Sequence, residues 1–300
     1  MVYKRNISRR AFIGSTAAAI TLTASSAVSR STNKREESTN ITTVPFGEYC
    51  ISRLLVGGNP ISGFSHVSKE LDQEMIHYFT TSNVKKLLSR CERAGINTWQ
   101  SRGDKHIRRL LLEYRDQGGT IQWIAQTASE FASFKRNIQD IVSMKPIGIY
   151  HHGSRTDKYW QNGAIEKIKD DIKIMKDTGI RTGIASHIPE ALEYFEDHDW
   201  DVDFYMTCFY NVNKRINGEE AYLADDRERM CKFIQQTPKQ CFAFKILAAG
   251  RNATTPDAVR KAFEFSFANI KPGDVVNVGM FPKYSDQVSE NFGIVKNILN

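Results

Sequence analysis

The chain is poor in the features that most quickly give a function away. Its five cysteines, Cys50, Cys91, Cys208, Cys231 and Cys241, include no Cys-x-x-Cys pair, and their number is odd. That spacing excludes a zinc ribbon or a thioredoxin-type redox pair, leaves at least one thiol unpaired, and makes buried structural thiols the expectation. No His-Glu-x-x-His metalloprotease motif occurs, and no Gly-x-Gly-x-x-Gly follows the first strand-like run, where the sequence reads Gly57-Gly58-Asn59-Pro60. An open nucleotide-binding sheet is therefore disfavoured. Apart from a short stretch from Ala11 to Ala24, no apolar run approaches the 18 residues of a membrane-spanning helix. Basic stripes with interleaved aromatics are also missing. The formal charge is +7, but Lys4, Arg5, Arg9 and Arg10 supply four of those charges and no acid lies before residue 30, so the remainder is only +3. Nucleic acid is not an expected partner; a small molecule is.

What is present begins with a targeting segment. Residues 1–29 place a basic start before a short apolar run and small residues near Ala27-Val28-Ser29. Ser8-Arg9-Arg10-Ala11-Phe12-Ile13 resembles the twin-arginine export signal, although an ordinary secretory signal with two arginines has the same outline. The resemblance implies the export machinery as a partner, a periplasmic or extracellular destination, and passage of a chain already folded. Residues 30–43 are polar, rich in Ser and Thr and without periodicity, as in a linker.

From residue 44 to 300 one alternation repeats. Strand-like runs at 51–58, 96–100, 120–126, 146–152, 180–186, 202–210, 241–247 and 274–280 alternate with helical spacing at 84–95, 106–119, 131–144, 164–179, 189–199, 219–236, 255–269 and 285–299. Eight strand–helix pairs in succession predict a closed (β/α)8 barrel in a single α/β domain; such barrels typically need about 250 residues. Residues 62–82 exceed a normal βα loop and read as an insertion over the C-terminal mouth.

In such a barrel the residues that end the strands converge on that mouth. They are Asn59, Gln100, Arg102, Asp104, Gln126, His151, His152, His187, Tyr210, Asn211, Lys245 and Lys283. Two histidine positions, cations and several amides are more than solvated loops require. His151 and His152 point oppositely along a strand, so one of them faces inward. Asp157, close behind them, suits a general base, a sugar-hydroxyl partner or a helix cap. His187 follows Ser186 at a strand end. His151, His187 and a carboxylate are also the number of ligands an open catalytic metal site needs, though no local spacing supports one.

Short motifs in order resemble the aldo/keto reductase superfamily: ISRLLVGG at 51–58, Gly95-Ile96-Asn97, IYHHG at 149–153, Gly183-Ile184-Ala185-Ser186, Tyr210-Asn211, Val278-Gly279-Met280 and Glu290-Asn291. The resemblance implies a (β/α)8 barrel, NADP(H) as cofactor, and an Asp–Tyr–Lys–His tetrad. The tetrad is incomplete here: Gln100 stands for the aspartate, Asp104-Lys105 for the tyrosine, Gln126-Thr127 for the lysine, and only His151 or His152 for the histidine. The family's basic phosphate-binding position is Gln287, with Lys283 a partial substitute, and its nicotinamide-stacking tyrosine is Tyr210, a position equally suited to a sugar ring or to packing. Three readings follow. One is an exported barrel enzyme that works on a hydroxyl-rich, carbohydrate-type substrate by acid–base chemistry of lyase, isomerase or hydrolase type, with His151, His152, Asp157 and His187 as catalytic candidates. The second is an NADP(H) oxidoreductase with a rearranged catalytic set, Lys105 or Lys245 taking part, exported with its cofactor bound. The third is a non-catalytic binding barrel.

Overall fold

The computed structural model describes residues 41–128 and 131–299. The export segment and residues 30–40 of the linker lie outside the described residues. Residues 41–43 belong to the fold and not to a linker: Ile41 is buried in the core and Thr43 opens a strand.

That strand, β1 (Thr43–Phe46), pairs antiparallel with β2 (Tyr49–Ser52). The hairpin seals the N-terminal end of the barrel. Phe46 at its tip is fully buried and meets the rings of Phe204 and Phe242 edge-on at 5.2 and 5.4 Å. The apolar run at 51–58 is thus two elements, because Arg53 breaks the chain direction and donates from Nε to the Asp274 carbonyl at 3.0 Å. Beyond it comes β3 (Leu54–Gly57), and then an inserted segment that contains helix α1 (Lys69–Tyr78).

The repeating units follow: α2 (Thr81–Arg93), β4 (Thr98–Arg102), α3 (Lys105–Asp116), β5 (Gln122–Gln126), α4 (Phe134–Val142) and β6 (Gly148–His151). Then come α5 (Gly153–Gln161), α6 (Ile165–Lys176), β7 (Arg181–Ser186), α7 (Pro189–Asp197) and β8 (Phe204–Cys208). A short antiparallel hairpin, β9 (Arg215–Ile216) and β10 (Glu219–Glu220), precedes α8 (Ala224–Gln236), β11 (Gln240–Phe244), α9 (Pro256–Asn269), β12 (Val275–Gly279) and α10 (Gln287–Leu299). Strands β3, β4, β5, β6, β7, β8, β11 and β12 close into a parallel (β/α)8 barrel, with β12 back against β3.

Local chemistry accounts for these elements. In α2, Val84, Leu87, Leu88 and Cys91 recur at helical spacing and are buried, Thr80 caps the first turn by accepting from the Asn83 N–H, and Gly95 (φ 77°) supplies the left-handed residue that ends it. Along the strands period two separates two cores. Leu55, Ile124, Tyr150, Phe204, Met206 and Phe242 fill the barrel, while Trp99, Trp123, Ile149, Tyr205 and Cys241 pack outward on helices. Two helical expectations shift. The segment 219–236 is helical only from Ala224, because Asn217 and Gly218 take positive φ and turn the chain into a hairpin. An additional helix, α5, starts directly at the end of β6. All five cysteines are free thiols, and only Cys50 is exposed.

Candidate active site at the barrel mouth

The floor of the mouth is an amide–phenol network. The side-chain amide of Gln100 donates to the Tyr150 hydroxyl at 2.6 Å, and the Asn277 amide donates to the Gln100 carbonyl oxygen at 2.8 Å. Gln126 also reaches the Tyr150 hydroxyl. Burial raises the Tyr150 pKa well above the phenol range, so this group stays neutral. Gln100 is therefore committed to barrel-interior bonds. Tyr150 was not among the sequence candidates, yet it faces the same way as His152 two residues on, so the period of the strand was its signal.

His151 is a correction. Its side chain points away from the barrel axis into the helix layer, where Nδ1 lies 2.7 Å from the Thr156 hydroxyl and Nε2 lies 3.1 Å from Asp171 Oδ2. Fully buried between Phe134 and Tyr159, it reaches neither the mouth nor His187. The notion of His151, His187 and a carboxylate as metal ligands goes with it, and among the described residues no three His, Cys, Asp or Glu side chains are grouped to hold a metal ion.

His152 and His187 are the histidines of the mouth, and their hydrogen bonds set opposite tautomers. His152 caps α5 by accepting the Ser154 N–H at Nδ1, 3.1 Å away, which places its proton on Nε2. Burial, with the charge of Arg102 behind it, pushes its pKa down to about 4. His187 instead donates from Nδ1 to Asp157 Oδ2 at 2.6 Å, so the neutral form of this imidazole carries its lone pair on Nε2.

Asp157 is neither a cap nor a solvated hydroxyl-binding group. It is 1% exposed and accepts from the Ser186 hydroxyl at 2.6 Å, the Asn213 amide at 2.8 Å and the His187 N–H at 3.2 Å, besides the imidazole. Burial works to raise its pKa, but the hydrogen bonds from His187, Ser186 and Asn213 prevail and hold it below the usual carboxylate value. The helix carrying Asp157 reaches His187 because Gly153 lacks a side chain: a Cβ there would stand 3.1 Å from His187 Cε1. Asn213 was not foreseen. Asn211 turns the loop by accepting the Asn213 N–H at 3.2 Å, and that turn delivers Asn213 to Asp157.

Lys245 follows β11 in a left-handed conformation, φ 58°, which is strained for a residue with a side chain. Its Nζ is buried and makes no hydrogen bond. Desolvation lowers its pKa, only partly opposed by Cys208 and Glu220 nearby. Cys208 has both Lys245 and Asp157 within electrostatic reach, and the ring of Phe244, next to Lys245, lies 5.7 Å from that of His187. These groups therefore share one side of the mouth. Burial pushes the Cys208 thiol up to about 12, which removes it as a nucleophile near neutrality. Above them the 215–220 hairpin meets the insertion where His66 Nδ1 lies 3.2 Å from the Glu220 carboxylate.

The remaining candidates lie at the rim or are otherwise engaged. Asn59 is exposed, its amide 3.5 Å from His66 Nε2. Arg102 pairs with Asp104 at 3.3 Å and lies over the Phe64 ring. Asp104 caps α3 by accepting the Ile107 N–H at 2.9 Å. Tyr210 is 3% exposed, covered by Tyr222, with its hydroxyl accepting from Asn252 at 3.0 Å, so it packs and presents no face to a sugar or nicotinamide ring. Lys283 is held by Glu74 at 2.6 Å, and Gln287 accepts the Phe281 N–H at 2.7 Å. NADP(H) does not fit this set, because both the stacking position and the phosphate-side positions are occupied by internal partners. A groove of about 730 Å³ lies elsewhere, on the outer face along α2, lined by Lys85, Lys86, Arg90 and Arg93.

No family model matches the sequence, and no curated protein matches it. The fold has solved counterparts. Gox0644 in its apo form is similar at TM-score 0.52 and 9% identity, over 86% of this chain and 93% of its own. A putative deoxyribose-phosphate aldolase from Coccidioides immitis gives TM-score 0.47 and 11% identity over 73% and 79%. At 9% identity the likeness to Gox0644 speaks to the barrel and not to its reaction.

Proposed function

We propose that this chain is a barrel enzyme performing acid–base chemistry on a small, hydroxyl-rich, carbohydrate-type substrate. The observation that carries the proposal is the pair of oppositely protonated imidazoles at the mouth. His187, fixed by Asp157, offers a bare Nε2 to remove a proton, and His152 offers Nε2–H to a developing oxyanion. A neutral imidazole with a depressed pKa is suited to that second role, since it donates a hydrogen bond without first having to lose a charge. A proton taken by His187 is returned by the same nitrogen, which suits isomerase or lyase steps next to a carbonyl group. Positioned acid–base groups of this kind typically contribute about 10²–10⁴-fold to rate.

The ordered aldo/keto-reductase-like motifs support descent from that superfamily, with hydride chemistry set aside by the incomplete tetrad and the occupied cofactor positions. The twin-arginine-like start supports action after export. Incubating the purified chain in D₂O with a panel of aldoses, ketoses and sugar acids, read by proton NMR, tests the reading. Loss of a C–H signal next to a carbonyl, dependent on His187, is the expected result. Absence of exchange and of new products across the panel rejects it.

A further inference from the structure

We propose that Lys245 is a nucleophilic amine that forms an imine with the substrate, which makes the substrate class an open-chain aldehyde or ketone. The inference rests on the acid–base reading of the mouth and narrows it.

A buried ammonium ordinarily finds a carboxylate or several oxygen acceptors, because an unpaired buried charge is costly. The Lys245 nitrogen is buried, has no hydrogen bond, and is held there by a backbone conformation that favours glycine. Other partly buried lysines, Lys176, Lys239 and Lys271 at the opposite end of the strands, are each placed against Asp or Glu within 3.3 Å. Glu220, the carboxylate nearest in electrostatic terms, is already engaged by His66 and by the Tyr222 hydroxyl at 2.8 Å. A desolvated amine without a counter-ion is the form of lysine that attacks carbonyl groups. Its low-lying pKa agrees with that role.

The step balances with groups on the page. The neutral amine adds its lone pair to the carbonyl carbon, the C–O π pair moves to oxygen, and His152 Nε2–H hydrogen-bonds to that oxygen. His187 Nε2 removes a proton from nitrogen and returns it to oxygen, giving the carbinolamine. The hydroxyl then leaves as water, taking up one proton from solvent through His187, while the nitrogen lone pair forms the C=N bond. No oxidant or reductant is consumed.

The test uses the purified full chain with glycolaldehyde, dihydroxyacetone or pyruvate as separate probes at pH 7, trapped with sodium borohydride and mapped by peptide mass spectrometry. Lys245 is expected to carry the reduced adduct with at least one probe, at about tenfold or more the level on exposed lysines such as Lys173 and Lys261, and Lys245→Met is expected to remove that adduct while the fold is retained by circular dichroism. Labelling that simply follows exposure, with Lys245 among the least modified, overturns the proposal. If Lys245 is not trapped while exchange in D₂O still requires His187, the imine falls and the acid–base reading stands. If Lys245 is trapped but exchange is indifferent to His187, the imine stands and that reading falls.

Discussion

Replacing Asp157 by asparagine perturbs the mouth with almost no change in shape. The carboxylate is 1% exposed and receives three side-chain donors, from Ser186, His187 and Asn213, and the backbone N–H of His187. Asparagine keeps one acceptor oxygen for Ser186 and the backbone, but places an NH₂ against the His187 Nδ1–H and the Asn213 amide. Two hydrogen bonds to a charged group are lost, each worth about 1.5–3 kcal/mol. Removing the buried charge and letting His187 switch tautomer offset part of that, which leaves a net cost of about 1–3 kcal/mol. For a domain of this size that is a fall in Tm of about 2–10 °C. The same switch moves the His187 proton to Nε2 and abolishes the base.

The pH dependence has a definite sign. Asp157 has a folded pKa below its unfolded value, so its contribution is present above the unfolded pKa of about 3.9 and is lost as pH falls through the folded value. The stability gap between wild type and Asp157→Asn is therefore widest near neutrality and closes in acid. Urea titrations at pH 7 and pH 3.5, with ¹⁵N NMR of the histidine side chains, measure both effects. A variant as stable as wild type at pH 7, or one whose His187 keeps its proton on Nδ1, refutes the reasoning.

Other consequences are as direct. Between pH 6.5 and 4 the unfolded chain protonates at residue 152 before the folded chain does, so His152 removes about 3 kcal/mol of stability as pH falls through that window; urea titrations of His152→Asn should show a flatter acid limb, and an unchanged limb contradicts this. His151→Ala removes the imidazole's bonds to Thr156 and Asp171 and opens a cavity in the helix layer, costing about 2–4 kcal/mol by urea unfolding while deuterium exchange into substrate stays within about threefold of wild type. Gly153→Ala pushes a methyl group to 3.1 Å from His187 Cε1, so the exchange rate is expected to drop about tenfold or more although stability moves by no more than about 1 kcal/mol. Gly183→Ala places its Cβ 2.5 Å from the Phe204 ring inside the barrel, and a Tm loss of several degrees is expected.

The barrel was legible because its determinants are local. Strand-like runs, helical apolar spacing in segments such as 84–95, and glycine stops such as Gly95 are written in neighbouring residues. The hairpin at 43–52 was hidden because Arg53 sits in the middle of an apolar run and breaks it through bonds to carbonyl groups over two hundred residues away. The mouth was legible as a set of strand ends, but not as a set of partners. Which of His151 and His152 faces inward depends on a one-residue register that the barrel interior settles through Tyr150. Asp157 reads like a helix cap, and only the approach of α5 to β7 turns it toward His187. Asn213 and the unpartnered state of Lys245 are products of loop geometry, which no spacing in the chain encodes.

The most direct test compares His187→Asn with His151→Ala in the same exchange reaction in D₂O, both proteins first shown to be folded. Asparagine at 187 can still donate to Asp157 but offers no basic nitrogen. The account predicts that His187→Asn lowers the exchange rate by about 10² or more while His151→Ala leaves it essentially unchanged. Equal rates for His187→Asn and wild type, or a comparable loss on changing His151, contradict the placement of the chemistry at the His187–Asp157 pair.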